Sequence, residues 1–382
     1  MLGSQRELFD MPREVCFFNA ASWSPIPLSA VEVGQAGAAR KSRPWDIPPD
    51  YADQQIAQAR AAAAGLINAA ADDVALIPSI GYGVSTAAKI FKVPAATRVL
   101  VLDSDHSSPT LEWMVRAEAG GFDVEVVRPG ADHDWTAVLL AAIARHGAKP
   151  VALASISSVH WSDGAAVDLD AVKAALAPIG AGLLIDATHA AGVMSLDVAA
   201  LDPDFVLFPT YKWLLGPYAR AFLYVAKRHQ DGVPLEQTSY GRRRVVAEDQ
   251  TYFTDLGYVD NASRFDMGER DFFVSLGVAA HSIKLLQSWG VDDVRGRLQM
   301  LTRRIADGVG DLDVTVLRED LRAPHILSLG FPSGMPDGLV GKLQAERVFA
   351  APRLGRLRLS PHVYNDEADC DRFVAVLRRA MS

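Results

Sequence analysis

The chain has 382 residues, of which 49% are hydrophobic and 22% charged, and its formal net charge is −8. This length exceeds what one core usually holds, so two domains are expected, and the composition is typical of a soluble globular protein. The negative net charge argues against nucleic acid or an acidic membrane surface as a partner. The one compact basic run, Arg242-Arg243-Arg244, is interpreted as a solvated loop.

The two cysteines, Cys16 and Cys370, lie near opposite ends of the chain. Such scarcity favours a reducing compartment, and because neither belongs to a CxxC pair or a histidine-rich cluster, no metal site is expected. The start of the chain lacks the apolar core of a signal peptide, and no apolar run reaches the length of a membrane span. These features predict a cytoplasmic protein.

An N-terminal arm, residues 1–20, precedes a turn broken by prolines, and an alanine-rich helix is predicted through 58–64. From Val74 onward, short apolar runs alternate with helical stretches. The predicted elements are a strand at 98–103, a helix at 111–119, a strand at 123–127, a helix at 135–145, a strand at 150–156, a helix at 169–177 and strands at 182–186 and 204–209. The alternation predicts an α/β fold in which helices cover both faces of a mostly parallel sheet.

The character of the sequence changes after Tyr224. A loop-rich stretch leads to two long predicted helices, then to short strands and a final helix from Glu367. The predicted helices are 273–289 and 291–309, and the predicted strands are 326–330 and 357–360. This part is interpreted as a smaller α/β domain, so the predicted division is an arm at 1–20, a large domain at 21–250 and a small domain at 251–382.

A lysine and an aspartate each follow or end an apolar strand. Asp186 ends the strand from Gly182, and Lys212 follows the strand at 204–209 within an apolar run that continues to Leu215. Carboxyl ends of parallel strands meet at one edge of a sheet, so the two side chains are expected to face one site. An amine that forms a Schiff base and a carboxylate that holds a pyridine nitrogen protonated are what pyridoxal phosphate chemistry needs. The pair predicts an enzyme with that cofactor.

Other candidates lie after neighbouring strands. The turn at Gly81 and Tyr82 opens a helix whose free amides could bind a phosphate, while His106 could stack on a planar ring. His160 and Trp161 follow the predicted strand at 150–156. Each histidine could instead have only a structural role. Arg358 could bind a substrate carboxylate through its two-pronged guanidinium, or form an ion pair at a strand edge.

A dinucleotide site is a distant alternative. Gly81 and Gly83, followed by a strand that ends at Asp103, loosely imitate the glycine-rich fingerprint of NAD-binding proteins. Thr86 stands where that fingerprint has its third small residue, and the motif lies well inside the chain. An NAD-binding oxidoreductase therefore stays open only as the weaker hypothesis.

The order of these motifs resembles the class V aminotransferase family of fold-type I enzymes, which includes cysteine desulfurases and isopenicillin N epimerase-like proteins. The resemblance runs from Phe18 to Asn365, and its most specific parts are the motifs around Asp186, Lys212 and Arg358. It implies a large domain with a mostly parallel, seven-stranded sheet and a smaller C-terminal α/β domain. It also implies pyridoxal phosphate as cofactor and a homodimer with shared active sites.

By position, the resemblance implies that Lys212 forms the Schiff base and shuttles protons, that Asp186 pairs with the pyridine nitrogen, and that His189 lies near the phenolic oxygen. The implied cofactor contacts further include Gly81, Tyr82, His106, Trp161, Tyr211 and Gly268, the last on a segment supplied by the partner subunit. Arg358 is expected to bind the substrate carboxylate, and Asn19, Ala20 and His160 to lie on the substrate side.

The family's desulfurases carry a nucleophilic cysteine before the substrate arginine, and the matching stretch 346–353 has none. A persulfide-forming desulfurase is therefore not expected. An aminotransferase that moves an amino group from an amino acid to a keto acid is the favoured hypothesis. A lyase or an epimerase using the same residues remains an alternative, and a non-catalytic relative of the fold is a further one.

Overall fold

The computed structural model describes residues 2–243 and 256–381. Its strands are β1 Cys16–Phe17, β2 Val74–Ile77, β3 Arg98–Leu102, β4 Asp123–Val127, β5 Val151–Ser157, β6 Gly182–Asp186, β7 Phe205–Pro209, β8 Ala221–Val225, β9 Thr315–Val316, β10 Leu327–Gly330, β11 Val348–Phe349, β12 Ala351–Arg353 and β13 Arg356–Leu359. Its helices are α1 Leu28–Lys41, α2 Tyr51–Leu66, α3 Ile80–Ile90, α4 Ser107–Gly120, α5 Trp135–Ile143, α6 Leu169–Leu176, α7 Val198–Leu201, α8 Ser275–Trp289, α9 Val291–Gly308, α10 Leu339–Ala345 and α11 Glu367–Met381.

The large sheet has seven strands in the order β2-β8-β7-β6-β5-β3-β4. Strands β7, β6, β5, β3 and β4 are mutually parallel, and β8 runs antiparallel between β2 and β7. Every residue of β5, β6, β7 and β8 is buried. Continuous apolar strands of this kind are expected where helices cover both faces of a parallel sheet. The predicted α/β architecture is confirmed.

Helix α4 begins earlier than the sequence pattern predicts. It starts at Ser107 rather than Leu111, so that Pro109 lies inside its first turn. A proline is tolerated there because the amides of the first turn have no acceptor within the helix. The earlier start makes His106 the residue that immediately precedes the helix. The histidine is thereby held at the carboxyl edge of the large sheet, between β3 and α4.

The N-terminal arm and the C-terminal elements share a second core. Phe9, Cys16 and Phe18 of the arm pack with residues of α9, α11 and the four-stranded antiparallel sheet β12-β13-β10-β9. Helix α8 instead packs on α2 and belongs to the core under the large sheet. The packing therefore changes from one core to the other at Gly290, between α8 and α9. The predicted boundary near residue 250 and Arg244 lie outside the described residues.

Among residues 2–243 and 256–381, no helix combines the length and the apolar character needed to cross a membrane. Within the same ranges, no group of three or more histidine, cysteine, aspartate or glutamate side chains is arranged to hold a metal ion.

We expect alanine to have different effects on stability at two glycines of α3, Gly83 and Gly81. A Cβ at Gly83 would lie 2.2 Å from Leu207 Cδ2 on β7 and 2.6 Å from Ile77 Cδ1 on β2, so these two side chains would have to move out of the packing between α3 and the sheet. A Cβ at Gly81 would meet nothing closer than Ser108 Oγ at 4.0 Å. We expect Gly83→Ala to lower the free energy of unfolding by about 1–3 kcal/mol. Gly81→Ala serves as the matched control.

Urea unfolding of the two variants checks this prediction. The control should be neutral or slightly stabilising, because alanine favours helix over glycine. Equal stability of the two variants would mean that the close packing of α3 on the sheet is not as described.

Candidate functional site

Two adjoining cavities open at the carboxyl ends of β2, β3, β5, β6 and β7. The inner cavity, of about 430 Å³, is lined by Gly81, Ser157, Asp186 and Thr188 among others. The outer cavity, of about 570 Å³, is lined by Ser22, Asp105, Arg353 and Arg358 among others. Both are lined by His106, Trp161, His189, Tyr211 and Lys212. The edge of the sheet predicted to carry the chemistry is therefore where the cavities lie.

Lys212 and Asp186 face the same cavity. Their side chains are buried, with residue exposures of 6% and 3%, and no carboxylate lies within ion-pair distance of Lys212 among the described residues. Burial lowers the pKa of Lys212 to about 8, and the charge of Asp186 opposes that shift. Asp186 Oδ1 accepts a hydrogen bond of 2.9 Å from the Thr188 amide, which fixes the carboxylate at the end of β6. The structure thus brings together the amine and the carboxylate.

His189 is held in one protonation form by its neighbours. Burial and the charge of Lys212 lower the pKa of His189 well below its usual value, so the ring is neutral. Trp213 Nε1 donates to His189 Nδ1 at 3.0 Å, which leaves the proton of the ring on Nε2. That Nε2 lies 3.4 Å from Lys212 Nζ. His189 therefore offers a hydrogen-bond donor to whatever occupies the cavity beside the lysine.

The start of α3 forms an anion site in the inner cavity. Ser79 caps the helix by accepting from the Tyr82 amide at 3.2 Å, and the amides of Ile80 and Gly81 are left without an acceptor among the described residues. The first turn of a helix carries partial positive charge, and its free amides bind phosphates. Because a Cβ at Gly81 would point into open space, the backbone here is accessible to a ligand.

Two predicted cofactor contacts do not line either cavity. The phenol of Tyr82 is turned toward Glu236, and burial together with that carboxylate raises its pKa. The Gly268 amide donates to Glu236 Oε2 at 2.6 Å, beside the same tyrosine. Tyr82 therefore offers the inner cavity neither its side chain nor a free amide, because its amide donates to Ser79 Oγ. The contact from Gly268 requires a partner subunit and stays a prediction.

His106 and Trp161 enclose the shared part of the cavities, whereas His160 does not. Burial and the charge of Lys212 lower the pKa of His106. Trp161 Nε1 donates to the Ser104 carbonyl at 2.7 Å, which fixes the indole over the loop after β3. His160 is buried behind them and stacks on Trp135 with ring centroids 4.7 Å apart. This position agrees with the alternative that His160 has only a structural role, and it gives no support to the predicted contact of His160 with the substrate.

Arg358 is buried on the wall of the outer cavity without an acidic partner. Its Nη1 donates to the Trp161 carbonyl at 2.6 Å and its Nη2 to Ser22 Oγ at 2.9 Å. Within the described residues, no aspartate or glutamate lies at ion-pair distance from it, so the alternative of an ion pair at the strand edge is not seen. A guanidinium that lines a cavity and has no acidic partner is suited to bind a carboxylate.

The arm reaches the cavity slightly later in the sequence than predicted. Asn19 and Ala20 line neither cavity, because Asn19 forms a bridge with Ser360 and the Ala20 amide donates to the Ser360 carbonyl. The next residues, Ala21 and Ser22, line the outer cavity instead. The hydrogen bonds that anchor the arm on β13 therefore also place Ser22 between the arginines of the site.

Sequence reasoning missed Ser22, Asp105, Ser157 and Arg353. Asp105 accepts from Ser157 Oγ at 2.8 Å and from the His106 amide at 2.7 Å, and burial raises its pKa to about 6. The position of Asp105, two residues after a predicted strand end, was the available signal for it. Arg353 offered no local signal, since only the pairing of β12 with β13 brings it beside Arg358.

Tyr211 lines both cavities next to Lys212. Its ring lies 4.4 Å from that of Tyr218, centroid to centroid, and burial raises its pKa to about 12. The phenol therefore remains protonated at neutral pH and can donate a hydrogen bond.

The NAD hypothesis gains no support from the position of Gly81. The preceding strand, β2, lies at the edge of the sheet and its neighbour β8 is antiparallel to it. A dinucleotide fingerprint instead follows the first strand of a parallel β-α-β unit.

Comparison with known proteins gives a consistent assignment. A family model described as "Aminotransferase class-V" matches residues 48–373. The chain is 28% identical over 319 residues to an uncharacterized aminotransferase of Bacillus subtilis, which covers 80% of this chain and 78% of that protein. It is 27% identical over 339 residues to a kynureninase of Myxococcus xanthus, covering 82% and 77% respectively. It is 25% identical over 373 residues to an isopenicillin N epimerase of Streptomyces clavuligerus, covering 94% and 93%.

Solved structures share the fold at low identity. The apo cysteine desulfurase of Thermococcus onnurineus NA1 superposes with a TM-score of 0.86 at 19% identity, covering 100% of this chain and 99% of that chain. A mutant of C-DES with glycine covalently linked to its PLP cofactor superposes with a TM-score of 0.87 at 19% identity, covering 98% of each chain. The resemblance and the fold type predicted from the sequence are confirmed.

Proposed function

Because this chain belongs to the aminotransferase class-V family, we propose that it transfers the amino group of an amino acid to a keto acid, with pyridoxal phosphate as cofactor. The observation that carries the proposal is the convergence of Lys212, Asp186 and Arg358 on two adjoining cavities. A reactive amine, a carboxylate for a pyridine nitrogen and a cation for a substrate carboxylate are the three protein groups that this chemistry requires. The proposal includes a homodimer in which the segment around Gly268 reaches the site of the partner.

Family membership indicates pyridoxal phosphate as the cofactor, and the residues of the inner cavity fit it. The free amides at Ile80 and Gly81 would hold the phosphate, Asp186 the ring nitrogen and His189 Nε2 the phenolic oxygen. His106 would cover the ring. When bound, this cofactor supplies an aldehyde that condenses with amines and a ring that accepts electrons.

Lys212 is the group that moves protons in the proposed reaction. Its pKa of about 8 leaves a useful fraction of the amine unprotonated near neutral pH. An unprotonated amine can attack a carbonyl, and it can remove the proton from the substrate Cα once that carbon is brought near.

Arg358 orients the substrate. Its guanidinium is held by the Trp161 carbonyl and by Ser22 Oγ, so it is positioned before a substrate arrives. A carboxylate bound there can fix the orientation of the substrate relative to Lys212. Such positioning lowers the activation barrier, because the translational and rotational entropy of the substrate is lost on binding and not in the reaction step.

A persulfide mechanism has no nucleophile in this chain. Its two cysteines, Cys16 and Cys370, are both buried and line neither cavity. Burial raises the pKa of Cys16 to about 11 and also raises that of Cys370, so neither thiol forms a reactive thiolate. The likeness to cysteine desulfurases therefore supports the fold and not the reaction.

A lyase or an epimerase of the same family is the second candidate, favoured by Asp105. This carboxyl lines the outer cavity, and burial raises its pKa to about 6. A group that titrates near neutral pH can supply a proton to a leaving group or to Cα. Two relatives of this chain are named kynureninase and isopenicillin N epimerase, and these names denote reactions other than amino transfer.

Single-turnover experiments separate these reactions. Protein loaded with pyridoxal phosphate is mixed with individual amino acids without a keto acid, and keto acid, ammonia and optical purity are measured. We expect keto acid equal to the number of sites, followed by further turnover only when a second keto acid is added. Continuous ammonia release without an acceptor would instead establish a lyase, and loss of optical purity without keto acid would establish an epimerase. The Lys212→Ala protein is the control.

A further inference from the structure

We propose that Arg353 forms a second anion subsite in the outer cavity, so that the substrate is an amino acid with a second carboxylate on its side chain. The inference rests on the proposed function only for the statement that the substrate is an amino acid. It assigns the substrate class, and it makes Arg353 the residue that determines specificity.

Arg353 and Arg358 are joined through one hydroxyl. Arg353 Nη2 donates to Ser22 Oγ at 2.8 Å, and Arg358 Nη2 donates to the same oxygen at 2.9 Å. The Ser22 hydroxyl donates its own hydrogen to Asn19 Oδ1 at 2.7 Å, so both lone pairs of its oxygen are directed at the guanidinium groups. Two cations are therefore held side by side on the wall of one cavity.

This pair of cations lacks a counter-ion. Within the part of the chain that the structure describes, neither arginine has an aspartate or glutamate at ion-pair distance. Among the described residues that line the outer cavity, the one acidic residue is Asp105, which accepts hydrogen bonds from the Ser157 hydroxyl and the His106 amide. Two guanidinium groups that donate to the same hydroxyl oxygen lie close enough to repel each other, which lowers the stability of the folded protein unless an anion is bound between them. Arrangements that cost stability in the free protein are typical of binding sites.

The two guanidinium groups occupy different depths. Arg358 is 2% exposed, and its Nε is buried without a partner. Arg353 is partly exposed at the rim, where its guanidinium lies 5.9 Å from the centre of the Trp161 ring. One carboxylate at Arg358 would thus lie deep in the cavity, and a second would meet Arg353 nearer the entrance. That arrangement fits a substrate with carboxylates at both ends better than a single carboxylate held by both arginines.

The charge balance of the site agrees with a dicarboxylate. Besides these two arginines, the basic side chains that line the outer cavity among the described residues are Lys212, His106 and His189. Burial lowers the pKa of both histidines, and burial together with the charges of Arg358 and Arg353 lowers the pKa of Lys212. A substrate with two carboxylates would neutralise both guanidinium groups. An amino acid with an apolar side chain would gain no ion pair at Arg353 and would displace water from this partly exposed guanidinium, which costs binding energy. The subsite therefore also selects against apolar substrates.

Binding of unreactive analogues tests the inference. Succinate and glutarate are compared by calorimetry with their monoamides, which keep the shape and lose one charge. The protein is used with its cofactor bound, as wild type, as Arg353→Gln and as Arg356→Gln. Arg356 is the matched control, because it pairs with Arg353 on the same hairpin and lines neither cavity.

We expect the wild type to bind a dicarboxylate at least about tenfold more tightly than its monoamide, because one hydrogen bond between charged groups contributes about this factor to affinity. Arg353→Gln should abolish this difference and leave monoamide binding nearly unchanged, while Arg356→Gln keeps it. Equal binding of diacid and monoamide by the wild type would overturn the inference. So would an equal loss for both ligands in Arg353→Gln, which would indicate one carboxylate held by both arginines. If Arg356→Gln reduced the preference for the diacid as much as Arg353→Gln does, the preference would reflect only the net charge of the protein, and the inference would also be overturned.

The binding test is independent of turnover. If the dicarboxylate preference is present and no amino transfer occurs with aspartate or glutamate, the subsite stands and the proposed reaction fails. If amino transfer occurs with asparagine or glutamine as readily as with their acids, the proposed reaction stands and the subsite fails.

Discussion

Replacement of Lys212 by alanine is expected to remove turnover, with a loss in kcat of about 10²- to 10⁴-fold or more, the range contributed by one positioned acid–base group. Lys212 lines both cavities, and its Nζ lies 3.4 Å from His189 Nε2. The negative charge of Asp186 is close enough to raise the pKa of Lys212 against the larger effect of burial. The matched control is Lys342→Ala, because Lys342 lies on α10 and bonds the Ala380 carbonyl at the surface. The control should retain full activity.

Chemical labelling tests the same residue without measuring turnover. Reduction of the cofactor-loaded protein with borohydride, followed by peptide mapping, should place the label on the peptide that contains Lys212. A label on another lysine would contradict the assignment even if the alanine variant were inactive.

The pH dependence follows from the lowered pKa of Lys212. At pH values below about 8 the buried amine is mostly protonated and cannot attack an aldehyde, whereas a lysine in water stays protonated up to about 10.5. The rate at which cofactor-free protein combines with pyridoxal phosphate should therefore rise most steeply near pH 8 and then level off. A rate that keeps rising beyond about pH 10 would show that an ordinary surface lysine reacts.

The same pKa has a consequence for stability. Between about pH 8 and 10.5 the unfolded chain holds a proton on Lys212 that the folded protein has lost, so the free energy of unfolding rises with pH across this window. Below about pH 8 both states are protonated and the full cost of burying the charge remains. The Lys212→Met variant should lack this rise in chemical unfolding experiments.

Replacement of Asp186 by asparagine is expected to affect function and stability in opposite directions. Loss of the carboxylate should slow the reaction by roughly 10²- to 10³-fold, since a fixed charge aimed at the reacting group is removed, and should weaken retention of the cofactor. In the cofactor-free protein, however, Asp186 is a buried carboxylate without a cation at ion-pair distance among the described residues. Asparagine removes that buried charge, so we expect equal or higher stability of the cofactor-free protein.

Asp204 provides the matched control for this prediction. It is also buried, just before β7, but it accepts from His229 Nε2 at 2.7 Å and from Arg228 Nε at 2.9 Å. Burial raises its pKa, and these two hydrogen bonds outweigh burial and lower the pKa to about 2. Breaking a buried pair leaves a charge uncompensated, so Asp204→Asn should lose about 3–5 kcal/mol of stability.

Thermal unfolding of the cofactor-free proteins and absorbance titration with pyridoxal phosphate measure both effects. An Asp186→Asn protein that unfolds more easily than wild type, and that also binds the cofactor normally, would show that the carboxylate has a structural role only. Equal behaviour of Asp186→Asn and Asp204→Asn in both measurements would lead to the same conclusion.

The sequence alone determined the α/β fold and the residues that end its parallel strands. Buried parallel strands appear in the sequence as continuous apolar runs. Their carboxyl ends meet at one edge of the sheet whatever side chains the strands carry. Asp186, Lys212, His106 and Trp161 can therefore be assigned to one site from local patterns. The helix predicted from Leu111 begins instead at Ser107 and includes Pro109, because a first helical turn tolerates proline.

Only the tertiary structure decided which side chains complete the site. Ser22 follows the N-terminal arm, whose residue Asn19 pairs with Ser360 near the other end of the chain. Arg353 lines the same cavity because β12 pairs with β13. His160, in the loop that follows its strand, instead turns into the core against Trp135. Local sequence patterns fix the direction of a strand, whereas the direction of a loop side chain depends on packing against distant elements. The second cation, and with it the inferred substrate charge, is therefore a property of the folded chain.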